Sequence, residues 1–82
     1  MNNDAIDTTM LPLPGRYRHY KGNEYEVIGS ARHSETEEWL VVYRKLYGDR
    51  SLWVRPRGMF LESILVDGHD KPRFEWLGEM GA

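Results

Sequence analysis

Eighty-two residues, a formal net charge of −2 and no cysteine bound a single small domain without disulfide staples or thiolate metal sites. A chain of this length buries only about 60–65% of its unfolded surface, so its core is small and its aromatics must supply much of it. No apolar run approaches the ~20 residues of a membrane span, and the start Met1-Asn2-Asn3-Asp4 lacks the cationic opening of a signal peptide, so a cytoplasmic protein is expected.

Residues 1–14 read as a flexible leader, polar and without period, ending in Leu11-Pro12-Leu13-Pro14, where each proline removes a ladder donor. Leu11 and Leu13 are placed to pack across the mouth of a barrel. Gly15 opens Arg16-Tyr17-Arg18-His19-Tyr20, a short strand with Tyr17 and His19 on one face, and Lys21-Gly22-Asn23 is a turn. In the second strand, over residues 24–34, Tyr25, Val27, Gly29 and Ala31 alternate with Glu24, Glu26, Ser30 and Arg32, which places the odd positions on the core. Gly29 and Ala31 thin that face, which predicts a bend or bulge there.

After the acidic loop Glu35-Thr36-Glu37-Glu38 comes the most apolar stretch, Trp39 to Tyr47. Both of its faces are mostly apolar, as expected of a strand at the centre of a sheet. Gly48 to Ser51 is a turn. Leu52-Trp53-Val54-Arg55 is a short strand stopped by Pro56, which holds Arg55 extended. Residues 56–62 fit one helical turn with proline near its start. Ile64-Leu65-Val66, a turn over residues 67–71 and Pro72 to Leu77 read as a final hairpin, and residues 78–82 as a tail.

Together these predict a mainly β domain over residues 15–77: a small, strongly bent SH3-like barrel of five or six strands with one short helical turn, monomeric or homodimeric. An open meander against the helical turn is the alternative. The expected core is Tyr25, Val27, Ala31, Val42, Leu46, Val54 and Phe60.

Several segments carry a resemblance. Gly15-x-Tyr17-Arg18-His19-Tyr20-Lys21-Gly22, Tyr25-x-Val27, Arg32-His33-Ser34-Glu35-Thr36, Val41-Val42-Tyr43 with Leu46-Tyr47-Gly48, Trp53-Val54-Arg55-Pro56, Met59-Phe60 and Arg73-Phe74-Glu75 together resemble the bacterial family called domain of unknown function 1653. The resemblance spans roughly residues 15–75 and implies a short stand-alone bacterial domain, with no activity attached. The pattern departs after Arg55-Pro56, where Arg57-Gly58 stand in place of Leu-Glu.

The chemistry-bearing residues point to binding rather than catalysis. Residues 16–57 hold nine Lys/Arg against six Asp/Glu, while residues 58–82 hold two against five. Arg outnumbers Lys eight to three, which favours planar pairing with carboxylates or phosphates. Arg18, Arg44, Arg55 and Arg73 lie near Tyr20, Tyr43, Trp53 and Trp76, and arginine interleaved with aromatics forms either a stacking and phosphate-binding groove or a ring-lined core with arginine stems paired to glutamates. For Arg55 the expected internal partner is Glu35 or Glu75. His33 and Glu35 share a strand face, and His19 lies on the strand before them. No ligand pair has a recognised metal spacing, so His33 reads as a hydrogen-bonded strand end and no metal is expected. Ser34 beside His33 is the one candidate nucleophile, but adjacent strand residues face opposite ways. No phosphate loop, nucleotide fingerprint or other cofactor motif is present.

The function expected from sequence is a non-catalytic module that binds a protein or anionic ligand through Arg18, His19, Tyr20, His33, Glu35, Tyr43, Trp53, Arg55 and Arg73. Nucleic-acid binding is the less favoured alternative, because the net charge is negative and lysine scarce. A minimal enzyme or metal site on His19, His33 and Glu35 comes third.

Overall fold

The computed structural model describes residues 10–81; the expected leader over residues 1–9 and the last tail residue lie outside the described residues. Among the described residues seven strands and one helical turn follow in order: β1 Gly15–His19, β2 Glu24–Arg32, β3 Trp39–Lys45, β4 Leu52–Pro56, α1 Arg57–Phe60, β5 Ser63–Val66, β6 His69–Pro72 and β7 Phe74–Gly78. Five form one antiparallel sheet in the order β4-β3-β2-β1-β7, and β5 and β6 form a separate two-stranded sheet. The protein is therefore mainly β. The large sheet is not closed, since no ladder joins β4 to β7 among the described residues. β2 holds the centre expected of the Trp39–Tyr47 stretch, and β3 lies one place out, between β2 and β4.

The chain's last third divides differently from the single hairpin read in the sequence. β5 turns back after Asp67-Gly68, both at positive φ (51° and 80°), as a two-residue turn whose twist matches its strands requires. Its partner β6 ends at Pro72, and β7 leaves to pair with β1, with His19 opposite Phe74 and Arg18 opposite Glu75. Arg73 is the junction. Its amide donates to the Glu62 carbonyl at 2.9 Å and its carbonyl accepts from the Tyr20 amide at 2.9 Å. At Gly15 β7 passes close to β1: a Cβ there would lie 2.7 Å from the Gly78 carbonyl oxygen and 2.6 Å from the Trp76 ring.

The buried cluster is Tyr17, Val27, Val41, Tyr43, Phe60 and Phe74, with Tyr25 packed against it. Phe60 from α1 and Phe74 from β7 stack at 4.2 Å, and Tyr17 meets Phe60 edge-on. The Tyr17 hydroxyl donates to the Leu13 carbonyl at 2.8 Å, tying the chain before β1 to this core. There Pro12 is buried, Leu11 half-buried and Leu13 exposed.

Two of the seven expected core residues, Val27 and Phe60, are buried, and Tyr25, Val42 and Leu46 are half-buried. Ala31 and Val54 are exposed. For Ala31 the reason is a bulge. The register between β2 and β3 shifts between Val27 and Gly29, so Ile28 has no partner, and every β2 residue beyond it changes face. Ser30 then lies opposite buried Val41, while Ala31 lies opposite Leu40 on the outer face. On β3 the core side belongs to Val41 and Tyr43, leaving Val42 outside against Val54, which is 57% exposed on the edge strand.

Candidate functional site

The same alternation carries Trp53 and Arg55 of β4 onto the core side. Arg55 lies opposite Val41 and Trp53 opposite Tyr43, so both share the core face, as their parity requires. Tyr25, opposite Lys45 on β2, comes up beside them. With Tyr47 these residues line a cleft of about 220 Å³ at the end of the core: Tyr25, Tyr43, Lys45, Tyr47, Trp53 and Arg55.

The turn between β3 and β4 fixes one wall. The Asp49 carboxylate accepts from the Ser51 amide at 3.1 Å and the Ser51 hydroxyl at 2.8 Å, and the Ser51 hydroxyl oxygen accepts from the Trp53 indole N–H at 2.8 Å. Lys45 pairs with Asp49 at 3.4 Å and lies over the Tyr47 ring at 5.0 Å. The hydrogen bonds from Ser51, followed by Lys45, hold the exposed Asp49 carboxyl below its ordinary range. That charged state keeps the turn latched at neutral pH.

Arg55 forms the floor. It is half-buried, with its guanidinium 5.3 Å from the centre of the Phe74 ring, and its Nε donates to the Tyr43 hydroxyl at 3.4 Å. The partner expected from sequence is absent: Arg55 has no carboxylate within ion-pairing distance among the described residues, and Glu75 instead lies 3.9 Å from Arg18. The Tyr25 and Tyr47 hydroxyls are 2.8 Å apart, so one donates to the other and the second keeps its proton for a ligand. Burial, and then the contact with Tyr47, pushes the Tyr25 phenol up to about 12. The lining thus offers guanidinium, ammonium and neutral phenol donors, and no carboxylate.

A family model described as a protein of unknown function (DUF1653) matches residues 15–76. The chain belongs to the DUF1653 family. It is also similar to the crystal structure of a DUF1653 protein from Bordetella bronchiseptica, with 36% identity and a TM-score of 0.77 over 87% of this chain and 94% of that one. No curated protein matches. Where this DUF1653 chain has Arg57-Gly58 after Arg55-Pro56, α1 begins on Arg57 with no acidic side chain in its first turn.

The cleft gathers three of the nine site residues read from sequence: Tyr43, Trp53 and Arg55. Arg18, His19 and Tyr20 line a second hollow, about 410 Å³, between the main sheet and the β5–β6 hairpin. Arg18 is engaged there by Glu24 at 3.6 Å and Glu75 at 3.9 Å. Arg73 is bound to Glu62 at 2.8 Å. His19 packs against Phe74 at 5.0 Å and so touches the aromatic wall behind the cleft. Burial holds its imidazole below the ordinary 6.5, and the nearby Arg55, Arg73 and Lys21 charges act in the same direction.

His33 closes the β2–β3 loop, its Nδ1 accepting from the Glu35 and Thr36 amides at 3.1 and 3.2 Å. It leaves β2 at the end opposite His19, and a nine-residue strand between them spans on the order of 25 Å. His19, His33 and Glu35 therefore do not converge, and no group of His, Asp or Glu among the described residues is arranged to hold a metal. No described helix is long and apolar enough to cross a membrane.

Sequence reasoning missed Tyr25, Lys45 and Tyr47 as site residues. The alternation in residues 24–34 places Tyr25 wholly in the core. For Lys45 and Tyr47 the signal was available, since both share the parity of Tyr43.

Proposed function

We propose that this DUF1653 chain is a non-catalytic binding module that captures an anionic group in the Arg55 cleft. One observation carries the reading: the half-buried Arg55 guanidinium, with no carboxylate within ion-pairing distance among the described residues, lines the cleft beside Lys45 and three tyrosine phenols, and no carboxylate lines it. Guanidinium binds planar oxyanions in a fork geometry, and neutral phenols add donors without adding charge. The ring of Phe74 supports the guanidinium from behind, so little freedom is lost when an anion arrives.

The strongly bent, SH3-like wrap expected from the sequence belongs to the same proposal. What supports it is the stacking of Phe60 and Phe74 over the concave face, where the final turn and strand of such a barrel would lie. A bacterial, cytoplasmic setting, as monomer or homodimer, completes the reading.

The test is a nuclear magnetic resonance titration of labelled protein with inorganic phosphate and with acetate. Shifts should concentrate at Tyr43, Lys45, Trp53 and Arg55 and vanish in Arg55→Met. Absence of any cleft response at millimolar phosphate and acetate refutes the proposal.

A further inference from the structure

Resting on that cleft, we infer that its ligand is single-stranded nucleic acid, with a phosphate held by Arg55 and Lys45 and a base stacked on Trp53. Trp53 carries the argument. It lies on an edge strand with 52% of its surface exposed, yet its indole is fixed by Ser51, itself bonded to Asp49. Because the N–H is consumed inside the protein, what this side chain offers a ligand is its π face. A carboxylate ligand alone would leave that face unused, whereas every nucleobase has a ring to place there.

The second observation is the position of charge. From Trp39 to Arg57 the chain carries Arg44, Lys45, Arg50, Arg55 and Arg57 against the single acid Asp49, although the whole protein is net negative. Of these, Lys45 and Arg55 line the cleft with the stacking ring, while Arg44 has the parity of Val42 on the outer face. The Lys45 ammonium lies over the Trp53 ring, 6.0 Å from its centre, and Arg55 lines the same cleft, so two cations stand beside the ring. The Lys45–Asp49 pair, exposed on its Asp49 side, is weak enough to exchange for a phosphate. At about 220 Å³ the cleft suits the phosphate and sugar edge, leaving the base outside on the indole. An acidic protein segment matches the charge equally well but supplies no repeated ring.

The experiment measures intrinsic tryptophan quenching and anisotropy with heptathymidylate and heptauridylate. Inorganic phosphate, uridine monophosphate and a polyglutamate heptamer serve as comparison ligands. The oligonucleotides should bind at least tenfold more tightly than inorganic phosphate or the peptide. Their affinity should fall with salt at a logarithmic slope of about −0.7, as one phosphate on a single strand gives. Trp53→Ala should weaken oligonucleotide binding on the order of ten- to a hundredfold, a larger factor than it costs inorganic phosphate, while Trp53→Phe should restore most of it. Oligonucleotides that bind no better than phosphate or the peptide, or that ignore Trp53→Ala, overturn this inference and leave the anion cleft standing. Loss of the phosphate response in the parent protein overturns both.

Discussion

Replacing Arg55 by Met separates a structural arginine from a binding one, because Met keeps the apolar stem and removes only the guanidinium. Two interactions are lost: the contact with the Phe74 ring at 5.3 Å and a long hydrogen bond to the Tyr43 hydroxyl at 3.4 Å. A cation over a partly desolvated ring contributes about 0.5–2 kcal/mol, and a bond at that length adds little. The expected cost is about 1 kcal/mol, or a fall of roughly 4–8 °C in melting temperature for a domain of this size. Breaking a buried ion pair would instead cost about 3–5 kcal/mol and bring the domain close to unfolding. The variant should also raise the pKa of His19, since the Arg55 charge is one of the causes holding that imidazole low. Thermal melts followed by circular dichroism give the first quantity, and the His19 ring resonances followed against pH give the second. A loss above about 3 kcal/mol, or an unmoved His19 titration, would refute the placement of Arg55.

Val41 is fully buried and Val42 only half-buried on the opposite face, so Val41→Ala should cost about 2–3 kcal/mol and Val42→Ala under about 1; equal denaturant midpoints would show the parity of β3 to be wrong. Because burial and then the Arg55, Arg73 and Lys21 charges hold His19 below 6.5, the folded state binds fewer protons than the unfolded chain just under that pH. Stability should thus be level above pH 6.5 and decline as pH falls from 6.5 through the folded pKa, and His19→Phe should flatten the decline. Tyr25 works at the other end. With its folded pKa near 12 against 10 unfolded, its contribution is complete below pH 10 and lost as pH rises toward 12. An alkaline absorbance titration should show its phenol ionising last, and Tyr25→Phe should remove that step.

Local pattern alone determined most of the strands. Alternation in residues 24–27, the two-faced run from Trp39, the proline stop at Pro56 and the Asp67-Gly68 turn are each written within a few neighbouring residues. Backbone sterics and side-chain period act over that same distance. The bulge was legible as well, in the thinning at Gly29 and Ala31. Its consequence was not, because a single unpaired residue at Ile28 reverses the facing of everything beyond it, and that reversal exists only relative to β3.

The remaining decisions belong to long-range pairing. β7 leaves β6 because it finds β1, some sixty residues earlier in the chain, which no local signal encodes. That pairing brings Phe74 to Phe60 and beneath Arg55. The same ladder sets Glu75 opposite Arg18, so one arginine is neutralised and the other is not. The sequence could number the arginines and the glutamates, but a charge is free or satisfied only by distance. Distances of a few ångströms between residues far apart in the chain are set when the sheet assembles.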